Sequence, residues 1–556
     1  MESYAIGLDF GTLSGRAVLV NVRTGEVAAE AEKPYAHGVM SDALPTGETL
    51  PPAWALQHPQ DWLDVILFTV PELMRLSGAH PEQVTTVGVD VTASTCLPVT
   101  ADGTPLCFLP EFAREKHAWP KLWKHHAAQE QARRMTRAAR EQNEAWLPYY
   151  GGQVNSEGML PKLLQILEES PRVWHAMAHA VEATDWLVWQ MTGVQTRSSC
   201  AAGYKAYYRP GAGYPSRAWF AALNPDFADA AQEKLSCPVS STVSRAGGLT
   251  KEFAARLGLT PDTCVCVGNV DAHACLPAAG IDGPGRLLSI IGTSTCHITM
   301  GRDMTPVPGI SGVVEGGVLP GFAAYEAGQS CVGDLFAWFV SHQVPPAYHE
   351  AARAQGMGIH PYLTQLCAAQ RPGQHGLVAL DWWNGNRSVL ANADLSGLLV
   401  GMTLDTRPED VYRALLESTA FGARTIVDNF RHNGVPVDAM DVSGGISQKN
   451  ALLMQITADV LDMPVRVSGA RQGPALGSAI FASVASGAHP DMQSAIHAMG
   501  SAPLRVYRPI PENVAPYAEL YSLFTQLHDY FGRGSDVMSR LKKLSRNNET
   551  GGPLLG

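Results

Sequence analysis

The sequence predicts an α/β protein of two or more domains, and three observations carry that reading. At 556 residues the chain exceeds what one hydrophobic core usually organises. Short β-rich runs at Tyr4–Asp9, Arg16–Val22, Glu26–Lys33 and Thr86–Asp90 are followed by long stretches of helical periodicity. A weak repeat sets Ile6–Val18, a strand, Gly11-Thr12, Ser14 and a strand, against Leu288–Met300, a strand, Gly292-Thr293-Ser294 and a strand. It reads equally as a duplicated domain or as a coincidence of common turn residues.

Thr24-Gly25 turns the second strand into the third, and Asp102-Gly103 marks a hairpin-type turn after the fourth. Helical periodicity spans residues 112–145 and 160–191, with Gly193 as a stop. Cys264–Val267 is β-rich, Gly268-Asn269 breaks it, and Asp271-Ala-His273 opens a helix of small residues. The Asp282-Gly-Pro-Gly285 cluster precedes a new strand at Leu287–Ile291, which places a domain boundary between 1–282 and 283–545. Ser443-Gly444-Gly445 separates the apolar run Ala439–Val442 from a helix at Asn450–Leu461. Residues 546–556 form a polar tail expected to be disordered.

Composition narrows the function classes. With 46% hydrophobic and 17% charged residues the chain is globular, and its net charge of −11 disfavours nucleic acid as a partner. Apolar runs such as Val84–Val91 are too short to span a membrane, and no export signal opens the sequence. Ten sparse cysteines, with Cys264 and Cys266 alternating with valines, point to reduced core thiols in a cytoplasmic protein. His175 and His179, four apart on an expected helix, could offer two imidazoles to zinc, but without a third ligand no site is expected.

The common nucleotide fingerprints, Gly-Lys-[Ser/Thr] after a glycine loop and Gly-x-Gly-x-x-Gly, are absent. What remains are the two Gly-Thr hairpins, whose backbone N–H groups and hydroxyls form either ordinary turns or a phosphate clamp. Gly444-Gly445 is either a tight connection or a place where a phosphate or flat ring approaches a helix N-terminus. Asp9 ends its strand beside the first hairpin, suited to hold Mg²⁺ through water. For Asp271, spacing alone favours a helix cap.

In combination these segments resemble a known family. Leu8-Asp-Phe-Gly-Thr-Leu-Ser-Gly-Arg16, Val267-Gly-Asn-Val-Asp-Ala-His273, Gly292-Thr-Ser-Thr-Cys296, Ser443-Gly-Gly-Ile-Ser-Gln-Lys-Asn450 and Ala475-Leu-Gly-Ser-Ala479 are similar, in order, to motifs of the FGGY sugar kinases. The resemblance implies two ribonuclease-H-like domains of the actin and hexokinase type flanking a central cleft, with ATP and Mg²⁺ as cofactors. It implies Asp271 as the catalytic base, against the cap reading, and Asp9 with Asp271 at the metal. ATP contacts are implied at Gly11, Thr12, Ser14, Arg16, Gly292, Thr293, Ser294, Gly333, Gly444, Gly445 and Asn450.

Within the family, Leu122-Trp-Lys-His-His126 stands where many members carry Trp-x-Asp-x-Arg. That segment, with Val89–Thr95, Ala202–Lys205, Pro320–Phe322, Glu326–Ser330 and Asp381–Arg387, is similar to the branch that phosphorylates the 5-hydroxyl of L-ribulose. Ala93, Trp123, Lys205, Asp271 and Glu326 are then the implied contacts to a ketopentose. Gln472 stands where some members have Glu, so no acidic role is carried there. The alternatives are a relative acting on xylulose, ribitol or glycerol, and a non-catalytic actin-like ATPase. Oligomeric state stays open, a homodimer included.

Overall fold

The computed structural model describes residues 2–550, with side chains through Ser545. Two seven-stranded sheets organise it. In the first, Val27–Pro34, Ser14–Asn21, Tyr4–Phe10, Val84–Val91, Cys264–Cys266 and Arg245–Gly248 lie side by side in that order, and Asn269–Val270 also pairs with Val84–Val91. In the second, the order is Gly312–Glu315, Ala323–Gln329, Thr295–Gly301, Gly285–Ile291, Val437–Ser443, Val465–Ser468 and Pro503–Tyr507. Pairing directions also match. Each sheet has an antiparallel hairpin and meander on one side of its first strand, two parallel neighbours on the other, and an antiparallel edge strand. The sequence repeat therefore falls on topologically equivalent hairpins, and coincidence is the weaker explanation.

The strand period of two decides what each face carries. Ile6, Leu8 and Phe10, with Val87, Val89 and Val91, pack against Trp62, Val65 and Ile66 of the helix Pro59–Ser77. The alternate residues, Gly7 and Gly88, face the helix Gly473–Ala485, which comes from the far end of the chain. A Cβ on Gly7 would lie 1.7 Å from the Ala475 carbonyl oxygen, and one on Gly88 2.0 Å from that of Ser478. These glycines let a helix of small residues lie almost on the sheet. The division of the chain near 282 is thus not a division in space at this helix. One core joins Ala5, Val18 and Val20 of the first sheet to Leu288 and Ile298 of the second through Leu476 and Ile480. A separate core holding Trp119, Trp146 and Trp219 fills the long insertion after Val84–Val91, and Trp54 joins it from the segment before that strand.

Several expected helices are shorter than their periodicity suggested. Within 112–145 only Gln129–Glu141 is α-helical, because short 3-10 turns and loops precede and follow it. The stretch 160–191 divides into Met159–Glu169, Pro171–Ala176, a strand His179–Glu182 and Ala183–Thr192, broken first at Ser170-Pro171. His175 and His179 consequently sit on different elements, and no group of three metal-binding side chains occurs among the described residues. Gly193, at φ 70°, does end its helix. The closing helix Val537–Thr550 enters the segment expected to be disordered, and the remainder of that expectation, 551–556, lies outside the described residues. All ten cysteines are free, Cys264 and Cys266 buried as expected. Among the described residues no helix is long and apolar enough to cross a membrane.

Candidate active site

Three carboxylates meet at the carboxyl ends of the parallel strands, where open α/β sheets usually bind ligands. Asp9 pairs in register with Asp90, Asn269 pairs with Asp90 from the other side, and Asp271 follows Asn269–Val270 directly. Asp9 and Asp90 lie on the glycine-bearing face, so burial acts on both. Asp90 is raised well above the carboxylate range by burial and by the charge of Asp9, and Ser478 Oγ donates to it at 2.6 Å. Asp9 is also raised by burial, against the pull of Arg16, whose Nη1 stands 3.4 Å away. Asp271 is pushed up to about 7 by burial and the charge of Asp9, against the pull of the Ala272 N–H and of Lys205.

The cap role that spacing favours for Asp271 is not what the helix uses. Asp271 is the first helical residue, Val270 holds the cap position, and Asp271 Oδ1 accepts from the adjacent Ala272 N–H at 2.7 Å.

The first hairpin closes through Gly11 N–H donating to the Ser14 carbonyl at 3.0 Å. Arg16 Nη2 donates to Ser14 Oγ, and Trp123 Nε1 donates to Thr12 Oγ1 at 3.2 Å. Trp123 and Thr12, taken from the sugar and phosphate sets, are therefore in direct contact. The second hairpin closes likewise, Gly292 N–H to the Ser294 carbonyl at 2.9 Å. The helix Gly333–His342 starts against it: Val332 N–H donates to the Thr293 carbonyl, and Gly333 N–H to that of Gly292. A Cβ at Gly333 would be 2.6 Å from the Gly292 oxygen. Gly444, at φ 95°, sits as close to Ile291 in the same sheet end, whereas Gly445 opens its helix onto free space. Gly292, Thr293, Ser294, Gly333, Gly444 and Gly445 are thus brought together. Asn450 caps the helix Ala451–Leu461, its Oδ1 accepting from Leu453 N–H at 2.9 Å, which commits that oxygen.

Lys205, on the helix Ser199–Ala206, reaches Glu326 on Ala323–Gln329, with Nζ 3.4 Å from Oε2. Burial alone would raise Glu326, but Lys205 and Arg387 outweigh it and hold its carboxyl down at about 2. Ala93 precedes Ser94, whose φ is 58° and whose carbonyl accepts from the buried Lys162 Nζ at 2.6 Å. Lys162 also donates to the Leu122 carbonyl at 3.0 Å, so one ammonium fixes both the Ala93 and Trp123 segments. Lys162, Asp90, His273 and Arg387 were missed in the sequence. Asp90 ends an apolar run as Asp9 does, and Arg387 closes the Asp381–Arg387 segment; Lys162 gave no signal, being one lysine in a helical stretch.

For a divalent cation, Asp9 and Asp271 offer hard carboxylate oxygens close enough for the charge of one to shift the other. Two such ligands fit Mg²⁺, which keeps several waters and substrate phosphates in its shell.

Models of the FGGY family of carbohydrate kinases match this chain twice, the N-terminal domain over residues 4–276 and the C-terminal domain over 287–486. The chain belongs to the FGGY family of carbohydrate kinases. It is 49% identical to a ribulokinase of Bacillus licheniformis, over 97% of this chain and 99% of that one. A ribulokinase of Mycolicibacterium smegmatis is also 49% identical, over 98% and 97%. Among solved structures, xylulose kinase from Rhodospirillum rubrum superposes with a TM-score of 0.76 at 24% identity, covering 95% of this chain and all of that one. Ligand-bound xylulose kinase from Lactobacillus acidophilus gives 0.77 at 16% identity, over 96% and 100%. At those identities the structures speak for the fold alone, the two-domain architecture of the FGGY kinases. ATP is the family's co-substrate.

Proposed function

We propose that this FGGY kinase is a ribulokinase, transferring the γ-phosphoryl group of ATP to the 5-hydroxyl of L-ribulose. Near-full-length identity of about half to curated ribulokinases supports the substrate. The geometric observation that carries the chemistry is the place of Asp271: beside Asp9 on the side of the first hairpin, and within reach of the charges of Lys205 and Glu326 on the other.

Phosphoryl transfer asks for in-line placement, charge neutralisation and exclusion of water. Asp271, poised near neutral, accepts the proton of the sugar hydroxyl as that oxygen attacks phosphorus. Lys205 and Glu326 orient the sugar hydroxyls, the backbone at Ala93 adds a polar contact, and Trp123 forms a wall. Gly11, Thr12, Ser14, Arg16, Gly292, Thr293 and Ser294 receive the phosphates, and Gly333, Gly444, Gly445 and Asn450 border the nucleoside. Mg²⁺ held at Asp9 and Asp271 would supply charge neutralisation for the migrating group. Approach of the two sheets around both substrates excludes water.

ADP release, coupled to an optical readout, is followed with L-ribulose, D-xylulose, ribitol and glycerol at fixed Mg-ATP. L-Ribulose is expected to give the highest kcat/KM, with glycerol barely turned over. Preference for glycerol or xylulose over L-ribulose would reject the substrate assignment and leave the family untouched.

A further inference from the structure

The segment Asp381-Trp-Trp-Asn-Gly-Asn-Arg387 has no role in the reaction as described, yet it is tied along one strand. Gln329 Nε2 donates to Asp381 Oδ2 at 2.8 Å, and Gly328 N–H donates to Ser388 Oγ at 3.2 Å. Arg387 Nη2 donates to Glu326 Oε1 at 3.0 Å. These three anchors, Glu326, Gly328 and Gln329, lie on the strand that carries the candidate sugar contact. The fit over Gly328 is close: a Cβ there would stand 2.9 Å from Arg387 Cδ. Any side chain at 328 would push the guanidinium off Glu326.

A carboxylate only 3% exposed needs partners for both oxygens. Glu326 has one on each side, Lys205 at Oε2 and Arg387 at Oε1. Arg387 Nη2 is also 3.8 Å from Glu157, which precedes the helix Met159–Glu169. The charges therefore alternate, Lys205, Glu326, Arg387, Glu157. Lys205 and Glu157 come from the part of the chain matched by the N-terminal family model, Glu326 and Arg387 from that matched by the C-terminal one. Unused hydrogen-bonding capacity collects here as well. Arg387 Nε and both ring nitrogens of His273 are buried without a hydrogen-bond partner among the described residues, and His273 Nε2 is 3.6 Å from Glu326.

We infer that Arg387 is a positioning residue for the sugar: it holds Glu326 in the orientation that presents Lys205 and Glu326 to the substrate hydroxyls, and through Glu157 it ties that orientation to the approach of the two halves. This rests on the sugar site proposed above. Lys205 and Glu326 touch the substrate, whereas Arg387 acts through Glu326. Without Arg387, the carboxylate has only Lys205 as a cationic partner and draws that ammonium away from the sugar.

The test uses the full-length chain with three variants: Arg387→Met, which keeps bulk and removes the charge, Arg387→Lys and Glu157→Gln. KM for sugar and for ATP are measured separately, each with the other substrate saturating, alongside kcat and melting temperature. Arg387→Met is expected to raise sugar KM roughly ten- to a hundredfold, the effect of losing a charge-assisted hydrogen bond, with ATP KM little changed. Arg387→Lys recovers part of that loss, and Glu157→Gln shifts sugar KM less, in the same direction. Equal changes in both KM values, or a lower melting temperature with unchanged sugar KM, overturn the inference by making Arg387 a structural residue. If Arg387→Met does not fold, Arg387→Lys and Glu157→Gln decide by the same criteria. Wild-type turnover is established first. If the acceptor is a sugar other than L-ribulose, that assignment falls, while the same constants read with the true acceptor still decide Arg387.

Discussion

At the scale of single residues, the site works because burial makes charge expensive and neighbours correct it selectively. Glu326 is compensated by Lys205 and Arg387 and held ionised, Asp90 is raised by burial and by the charge of Asp9 despite the Ser478 hydroxyl, and Asp271 is brought to about 7. Asp271→Asn separates chemistry from stability. In the folded, metal-free protein Asp271 binds its proton up to about 7, whereas the unfolded chain releases it near 4. The folded state then holds more protons between those values, so this residue makes stability fall as pH rises from about 4 to 7. Asn carries no charge to bury. The variant is expected to melt no lower than wild type at pH 8, with nucleotide and metal absent, while turnover falls about 10²–10⁴-fold. Wild-type turnover by the variant would remove Asp271 from the reaction. Spacing exposed Asp271 only as a polar residue opening a helix, and the base role came from the family resemblance, because the physical difference lies in Asp9, Lys205 and Glu326, remote in the chain.

Elements were legible where a local rule fixed them and illegible where tertiary contacts did. Both Gly-Thr hairpins fall where turn chemistry put them, and Gly193 stops its helix. The long helical readings failed because the apolar positions of 112–145 and 160–191 serve cores packed from many directions, the tryptophan-rich core up to Ala180 and the core of the first sheet from Val181 onward, not one helix face. The helix Gly473–Ala485 shows the opposite case, a readable motif whose meaning is spatial. Its Gly477 would place a Cβ 1.7 Å from the Ala274 carbonyl oxygen, on the helix that Asp271 opens. Gly477→Ala should therefore force two helices apart and destabilise the protein by about 1–3 kcal/mol, the usual cost of overpacking. It should also lower kcat, since the displaced helix carries Asp271, and denaturant melts paired with steady-state rates check both. Unchanged stability would mean that the helices can separate freely and that the close contact is not required.

For the molecule as a whole, sequence and space divide the chain differently. Motif order and the Gly/Pro cluster near residue 282 suggest two consecutive units, 1–282 and 283–545. Yet the first sheet's inner face is covered by Gly473–Ala485, and Thr86 Oγ1 donates to the Ala482 carbonyl at 3.0 Å across that division. No local pattern near residue 480 announces a partner sheet at the opposite end of the chain; only the run of small residues hints that something approaches closely. A fragment of residues 1–282 would expose the face bearing Gly7, Gly88, Ala5 and Val18 to water, together with the buried carboxylates Asp9 and Asp90. A fragment of 283–545 would in turn expose Leu476, Ile480 and Phe481. Neither fragment is expected to fold alone, whereas co-expression of the two should restore a complex in which the helix returns to its sheet. In the intact chain the shared core couples the halves, so melts followed by tryptophan fluorescence, dominated by the tryptophans before residue 220, and by far-ultraviolet circular dichroism should coincide. A stable, cooperatively melting 1–282 fragment would show that the helix is dispensable to the first sheet. The two halves would then be independent domains, and the shared core would not be what holds Asp9, Asp90 and Asp271 together at one end of the cleft.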